Sequence, residues 1–151
     1  MHRLVFSLLI GGLFLLNTSA QAQFRKIPSS VTDSFKLKYP SAAAVEWQDK
    51  VTAFQANFTQ ENEKYQARFS SKGEWQGTTK RISEDKIPAA VKDGLAKSKY
   101  AAPDWKIGTI TVKYLPDGKT QYGIFVSKSD INRKNLLFSS EGQLLKDGST
   151  L

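Results

Sequence analysis

Carboxylates are the side chains of this 151-residue chain that come closest to a catalytic set. Glu61, Glu63, Asp117 and Glu141 occupy polar stretches that are typical of turns. A pair of carboxyl groups can act as the acid and the base of a glycoside hydrolase. Because carboxylates in turns are usually solvated, a carboxylate-dependent hydrolase is kept only as a third alternative, behind two binding functions.

The residue types that other common active sites require are missing. The chain has no Cys, and its single His is His2, in a segment that we expect to be removed. Ser-His-Asp and Cys-His sites need these side chains, and zinc and copper sites usually need them. Residues 130–135 have some oxygen-ligand spacing but lack the Gly and terminal Glu of a calcium loop. The sequence therefore predicts a protein that is not an enzyme, with no metal site and no cofactor.

The first 22 residues have the features of a secretory signal peptide. His2 and Arg3 precede an apolar run over residues 4–16, and Ala20 and Ala22 provide the small residues of a cleavage site. Cleavage is expected after Ala22, with a site two residues earlier as the alternative. The apolar run is shorter than the roughly 20 residues of a spanning helix, so an N-terminal anchor is the weaker interpretation. We expect a periplasmic or secreted protein with no membrane span after cleavage.

Two sequence patterns occur twice in the rest of the chain. IPSSVTDSFKLKYP, at residues 27–40, returns as IPAAVKDGLAKSKYAAP at residues 87–103, and ARFSSKGEWQ, at residues 67–76, returns as LLFSSEGQLL at residues 136–145. The first pattern has a Pro suited to a first helical turn and apolar residues at steps of four, so it predicts a helix. The repeat predicts two units, residues 23–82 and 83–151, that form one compact domain.

Strand-like segments follow each predicted helix. Apolar and polar residues alternate with a period of two, which is typical of antiparallel strands with one buried face. The fold class is therefore α+β, with two tandem units, each one helix packed on antiparallel strands, and with the helices on one face of the sheet. A bulge is expected near Gly108. The predicted strands are residues 45–49, 51–59, 64–70, 74–81, 105–115, 121–128, 135–140 and 143–146.

The polar phase of these strands gives the candidate binding site. Phe125 is out of phase with Ile124 and Val126, so its ring is expected on the open face among hydrogen-bonding groups. The three Trp residues could be interface anchors or core, and Trp75 is assigned to the core because it occupies the place of Leu144 in the second hairpin. The predicted partner-binding residues are Gln55, Asn57, Gln66, Arg68, Thr111, Lys113 and Phe125.

The two Ile-Pro-x-x-Val helix starts, the Tyr39-Pro40 helix end before Val45-Glu-Trp47, and the two Phe-Ser-Ser-x-Gly hairpins carry a family resemblance. Together these motifs resemble the exported PepSY-like proteins, also described as β-lactamase-inhibitor-like. The resemblance implies a periplasmic, non-enzymatic protein of two αβ units whose joined sheet leaves one face free. In the β-lactamase inhibitor protein, such a face grips an enzyme. The disulfides of that inhibitor cannot form in this chain, which has no Cys.

Two binding functions remain. The first is an exported module that presents the open sheet face to a protein or peptide partner, an enzyme inhibitor being one form of it. The second is a polyanion-binding protein of the cell envelope, since the net charge is +8 and removal of Arg3 leaves +7. Lysines are scattered without a dense basic run, and export makes nucleic acid an unexpected partner.

Overall fold

The computed structural model describes residues 25–149, so the predicted signal peptide lies outside the described residues. The described residues form two α-helices, α1 (Ser29–Lys38) and α2 (Ala89–Ala96), and two short 3-10 helices, Glu84–Lys86 and Lys99–Ala101. The eight strands are β1 (Ala43–Asp49), β2 (Phe54–Gln60), β3 (Glu63–Phe69), β4 (Trp75–Ile82), β5 (Lys106–Tyr114), β6 (Thr120–Ser127), β7 (Arg133–Ser139) and β8 (Leu144–Ser149).

All eight strands form one antiparallel sheet in the order β1 to β8, so each strand pairs with its neighbours in sequence. Pairing between β4 and β5, for example of Ile82 with Ile110, continues the sheet across the connection that contains α2. The α+β class and the single antiparallel sheet with its two helices are thus as the sequence predicts.

Both helices pack on the same side of the sheet, which we call the helix face; the opposite side is the open face. Val31 and Phe35 of α1 are buried against apolar residues of β2 and β3, including Phe58 and Phe69. Val91 and Leu95 of α2 are buried against apolar residues of β5, β6 and β7, including Ile110, Ile124, Leu136 and Phe138. The apolar phase of the strands therefore faces the helices, as the period of two predicts.

The sequence-based boundaries are wrong at the start of β2. Residues from 51 onward are predicted as strand, but Val51 has a φ of 60° and is 83% exposed, and β2 begins at Phe54. Asp49 accepts hydrogen bonds from the backbone N–H of Val51 and from Arg25, which also donates to the Val51 carbonyl. This contact between distant residues holds a turn here. The predicted bulge near Gly108 is confirmed, since the β5–β6 register shifts between Ile107 and Ile110.

The repeated Phe-Ser-Ser-x-Gly hairpins place a glycine against the start of each helix. Gly73, in the β3–β4 turn, has a φ of 85°, and a Cβ added there would lie 2.4 Å from the carbonyl oxygen of Ser30 in α1. Gly142, in the β7–β8 turn, has a φ of 84°, and its Cβ would lie 2.0 Å from the carbonyl oxygen of Ala90 in α2. Each turn can approach its helix this closely only because the residue has no side chain.

A tyrosine after each helix makes a second matching contact. The Tyr39 hydroxyl and Thr78 in β4 form a hydrogen bond, and Thr78 also accepts one from the Trp75 indole at 2.9 Å. The Tyr100 hydroxyl donates to Asp147 in β8 at 2.5 Å. Thr78 and Asp147 each lie five residues after the turn glycine of their hairpin. Tyr39 and Tyr100 therefore tie the chain just after α1 and α2 to β4 and β8.

We predict that Gly142→Ala lowers the free energy of unfolding by about 2–5 kcal/mol. A left-handed backbone costs alanine about 1–2 kcal/mol, and the clash with Ala90 adds the 1–3 kcal/mol that is typical of overpacking. Urea denaturation followed by circular dichroism measures the loss.

Gly118→Ala is the matched control, because Gly118 also has a positive φ, of 78°, but nothing lies within 4 Å of an added Cβ. It should cost only the backbone penalty, about 1–2 kcal/mol. Equal losses for the two variants would contradict the proposed close approach of turn and helix.

We predict an acid-dependent contribution from Asp147. Hydrogen bonds from Tyr100 and then Lys99, whose ammonium lies 3.1 Å away, hold the pKa of Asp147 below its usual value near 3.8. A carboxyl with a lowered folded-state pKa stabilises the fold above its unfolded pKa, and this is lost as pH falls through the folded-state pKa. The gap in melting temperature between the native protein and Asp147→Asn should therefore shrink as the pH falls below about 4.

Tyr100→Phe is the control for this measurement, since it removes one donor and keeps the Lys99 ion pair. It should lower the melting temperature at neutral pH and keep part of the acid dependence. A difference in melting temperature between the native protein and Asp147→Asn that stays constant from about pH 7 to pH 3 would contradict the lowered pKa of Asp147.

Candidate binding face

Strand register places all seven predicted site residues on the open face. Gln55 pairs with Arg68, and Asn57 pairs with Gln66, between β2 and β3. Thr111 and Lys113 in β5 pair with Arg81 and Thr79 in β4, and Phe125 in β6 pairs with Asn135 in β7. All these positions alternate with residues that are buried under the helices. Their role in binding stays a prediction, whereas their shared face is a feature of the fold.

Four of the seven residues form a compact group, Thr111 and Lys113 lie on β5, and Phe125 lies on β6. Gln55, Asn57, Gln66 and Arg68 are neighbours across β2 and β3, and the Gln55 amide donates to the Asn57 carbonyl oxygen at 2.9 Å. Phe125, on β6, is separated from this group by the two strands β4 and β5. A ligand that touches both Arg68 and Phe125 must therefore lie across the strands.

Glycines on the open face make room for longer side chains. A Cβ added to Gly77 would lie 3.2 Å from Cε of Lys113, so the lysine stem passes over Gly77, the pairing partner of Arg68. A Cβ on Gly108 would lie 2.7 Å from the Phe125 ring. Small residues thus let Lys113 and Phe125 lie along the sheet instead of standing clear of it.

Two shallow grooves lie on the open face. One groove, of about 880 Å³, is lined on this face by Asn57, Gln66, Thr79 and Arg81 among others. A second, of about 400 Å³, is lined by Phe125, Leu137, Lys146 and neighbouring residues. Both grooves include Thr109 and Thr111, so they join at β5 and form one surface from β1 to β8.

Sequence reasoning missed several residues of this face. Glu46, Lys64, Thr79 and Arg81 line the first groove, and Lys146 lines the second. The signal for Thr79 and Arg81 was available, because they alternate with the helix-face residues Thr78 and Lys80 in a strand that was predicted. The register that brings Arg81 beside Thr111 was not available, since it depends on pairing between β4 and β5.

The turn carboxylates are anchored by cations and backbone groups. Hydrogen bonds from Lys80 and from Tyr65, the latter at 3.0 Å, lower the pKa of Glu63, and Lys86 lies 3.8 Å from its second oxygen. The backbone N–H of Lys119 lowers the pKa of Asp117, and the Ser140 hydroxyl lowers the pKa of Glu141. A general acid at neutral pH needs a raised pKa, so these three carboxyls are poorly suited to that role.

The tryptophans lie on the helix side. Trp47 packs edge-on against Phe35 with ring centroids 5.3 Å apart, Trp105 packs against Tyr100 at 5.0 Å, and Trp75 contacts the core beneath α1. The assignment of Trp75 to the core fits this position. A more apolar cleft of about 550 Å³ lies beside α1 and β1, where Trp47 and Val45 form part of its wall.

Two further searches concern only the described part of the chain. Within residues 25–149, no group of three His, Cys, Asp or Glu side chains is placed to hold a metal ion. In the same residues, no helix is long and apolar enough to cross a membrane.

Solved structures with the same fold come from Bacteroides species. A DUF2874 family protein from Bacteroides ovatus is 25% identical, with a TM-score of 0.74 over 82% of this chain and 88% of that one. A BLIP-like protein from Bacteroides fragilis is 21% identical, with a TM-score of 0.74 over 85% and 89%. A protein from Bacteroides eggerthii described as periplasmic is 24% identical, with a TM-score of 0.73 over 82% and 89%.

Among curated proteins, no sequence matches this chain. The family model described as "Putative beta-lactamase-inhibitor-like, PepSY-like" matches residues 52–146, from the turn before β2 into β8. That match covers more than half of the sequence and includes both Phe-Ser-Ser-x-Gly hairpins. The chain therefore belongs to the PepSY-like, β-lactamase-inhibitor-like family.

Proposed function

We propose that this chain is an exported, non-enzymatic binding module that presents the open face of its sheet to a protein or peptide partner. The observation that carries the proposal is the one-sided packing of the sheet. In the part of the chain that the structure describes, α1 and α2 both cover the helix face, and the polar residues of β2 to β7 face solvent in a continuous surface that holds the two grooves.

The size of the open face suits a protein partner. Eight strands spaced by about 4.8 Å span roughly 34 Å, and strands of seven residues are roughly 23 Å long. The resulting area is of the order of the roughly 800 Å² that each partner buries in an ordinary protein complex. Amide and hydroxyl groups such as those of Gln55, Asn57, Gln66 and Thr111 can both donate and accept hydrogen bonds, and Phe125 supplies an aromatic contact.

Family membership supports the non-enzymatic part of the proposal, and the lowered pKa values of Glu63, Asp117 and Glu141 agree with it. The neighbour described as periplasmic supports export, for which the signal peptide at residues 1–22 would provide the route. We also infer that residues 23–82 and 83–151 are tandem units, since the Gly73 and Gly142 contacts, and those of Tyr39 and Tyr100, match in position. A BLIP-like neighbour makes an enzyme one form of partner to consider.

We predict that a photo-crosslinking amino acid at Gln66, in the protein expressed in its native host, captures a specific protein. The same amino acid at Lys92, which is exposed on α2, is the control and should capture nothing in common with it. Mass spectrometry of the adducts identifies the partner. If the Gln66 and Lys92 positions give the same adducts, or neither gives any, the binding-module proposal fails.

We predict that the double substitution Arg68→Ala and Phe125→Ala weakens the captured complex about tenfold or more without changing the melting temperature, because both side chains point away from the core. The matched control is Lys72→Ala with Leu37→Ala, which removes one exposed cation and one exposed apolar side chain elsewhere. Isothermal titration calorimetry measures the affinity of each double variant for the identified partner. Equal affinities for the two double variants would remove Arg68 and Phe125 from the site.

A further inference from the structure

Among the described residues, the open face carries several cations that form no ion pair. We define the basic set as five residues of this face: Lys64, Arg68, Arg81, Lys113 and Lys146. Within residues 25–149, no ion pair includes a member of the basic set. Glu46, on the edge strand β1, is the one carboxylate that strand register places among them on the open face in this part of the chain.

In the part of the chain that the structure covers, some cations away from the open face form ion pairs, although others, such as Lys36, Lys72 and Lys92, do not. Arg25 pairs with Asp49, Lys80 with Glu63, Lys99 with Asp147 and Lys128 with Asp104. The chain thus places its carboxylates where they neutralise cations around the helices and the turns. The separation leaves one surface with a positive potential, which selects partners of the opposite sign.

Members of the basic set also lie close to one another on neighbouring strands. Tyr65 pairs with Lys80, and continuing that register by one residue brings Lys64 directly opposite Arg81. The Lys113 stem passes over Gly77, the pairing partner of Arg68, so Lys113 and Arg68 flank the same glycine. Like charges directly opposite each other on a sheet destabilise it. An anionic ligand would reduce the repulsion between these cations.

The neighbours of the basic set indicate which kind of anion fits. Gln55, Asn57, Gln66 and Gln121 present amides that match the donors and acceptors of a peptide backbone. Surfaces that bind single-stranded nucleic acid instead use several aromatic rings as stacking platforms. Phe125 is the one aromatic side chain that strand register puts on the open face within residues 25–149, because the others of β1 to β8 face the helices.

We propose that the open face recognises an acidic polypeptide segment, whose Asp or Glu side chains meet the basic set while its backbone meets the amides. The inference rests on the proposed binding function and specifies the chemistry of the partner. Charge complementarity carries it: the unpaired cations, their mutual repulsion and the surrounding amides all favour an extended acidic chain. Lys64 and Arg81 lie in the first groove and Lys146 in the second, so such a segment would run across the strands.

The test measures binding of a fluorescein-labelled twelve-residue peptide of alternating Glu and Thr by fluorescence anisotropy, with the full mature protein. A peptide with Gln in place of Glu is the matched probe. The acidic peptide should bind about tenfold or more tightly than the Gln peptide at low salt, and the difference should shrink at about 0.15 M salt because the charges are exposed. Equal affinity for the two peptides at low salt would overturn the inference.

The charge-reversal variant Arg81→Glu with Lys113→Glu should weaken binding of the acidic peptide about tenfold. Lys72→Glu with Lys92→Glu makes the same change in net charge away from the open face and should have no more than about a twofold effect. The melting temperature of the Arg81→Glu, Lys113→Glu variant should be unchanged or raised, since repulsion is removed. A matching loss of affinity in both variants would show a general charge effect and overturn the assignment to this face.

A single-stranded oligothymidine of twelve nucleotides and heparin test the other polyanions. Tighter binding of either than of the acidic peptide, lost in the Arg81→Glu, Lys113→Glu variant, would replace the acidic polypeptide with a non-protein polyanion. If the protein captured at Gln66 binds the charge-reversal variant as tightly as the native chain, the binding module stands and the acidic partner is wrong. The two proposals therefore fail through different measurements.

Discussion

The close approach of a turn glycine to the start of each helix is the constraint on which the rest of the structure depends. Gly73 lies against Ser30 and Gly142 against Ala90, each with a positive φ that other residues rarely adopt. Each contact holds the start of a helix against a hairpin turn on the helix face. Hydrogen bonds of Tyr39 and Tyr100 then hold the other end of each helix near β4 and β8. With both helices held on one side, the second side of the sheet is left to solvent.

This one-sided packing also sorts the side chains of the strands. Aromatic rings that stabilise the fold, such as those of Phe35, Phe58 and Phe69, meet edge-on beneath α1 at centroid distances of 5.1–6.2 Å. A chain without Cys has no disulfides to add to this core, so apolar burial must supply most of the stability. Residues of the open face contribute little to this apolar burial. Their amides, cations and single aromatic ring are therefore free to match a ligand.

Much of this architecture could be read from the sequence because two periods dominate it. Steps of four from Val31 to Phe35 predict a helix, and alternation in β2 and β6 predicts which side of each strand is polar, including the position of Phe125. Contacts between residues that are far apart in the chain could not be predicted from the sequence. The hydrogen bonds from Arg25 to Asp49 and Val51 hold a turn where strand was predicted, so β2 begins only at Phe54, and the pairing of Arg81 with Thr111 depends on how β4 joins β5. Arg68 and Lys113 were predicted as site residues, whereas Lys64, Arg81 and Lys146, the other members of the basic set, were missed.

The pairing of β4 with β5 joins the strands that precede α2 to those that follow it and so makes one wide open face. Four strands alone would offer a surface roughly 14 Å wide, too narrow for an ordinary protein interface. Pairing from Thr78–Tyr114 to Ile82–Ile110 doubles the number of strands and puts Arg81 and Lys113 at the centre of the combined face. A ligand that crossed the strands at this position would meet both cations at once, which neither β1–β4 nor β5–β8 presents alone.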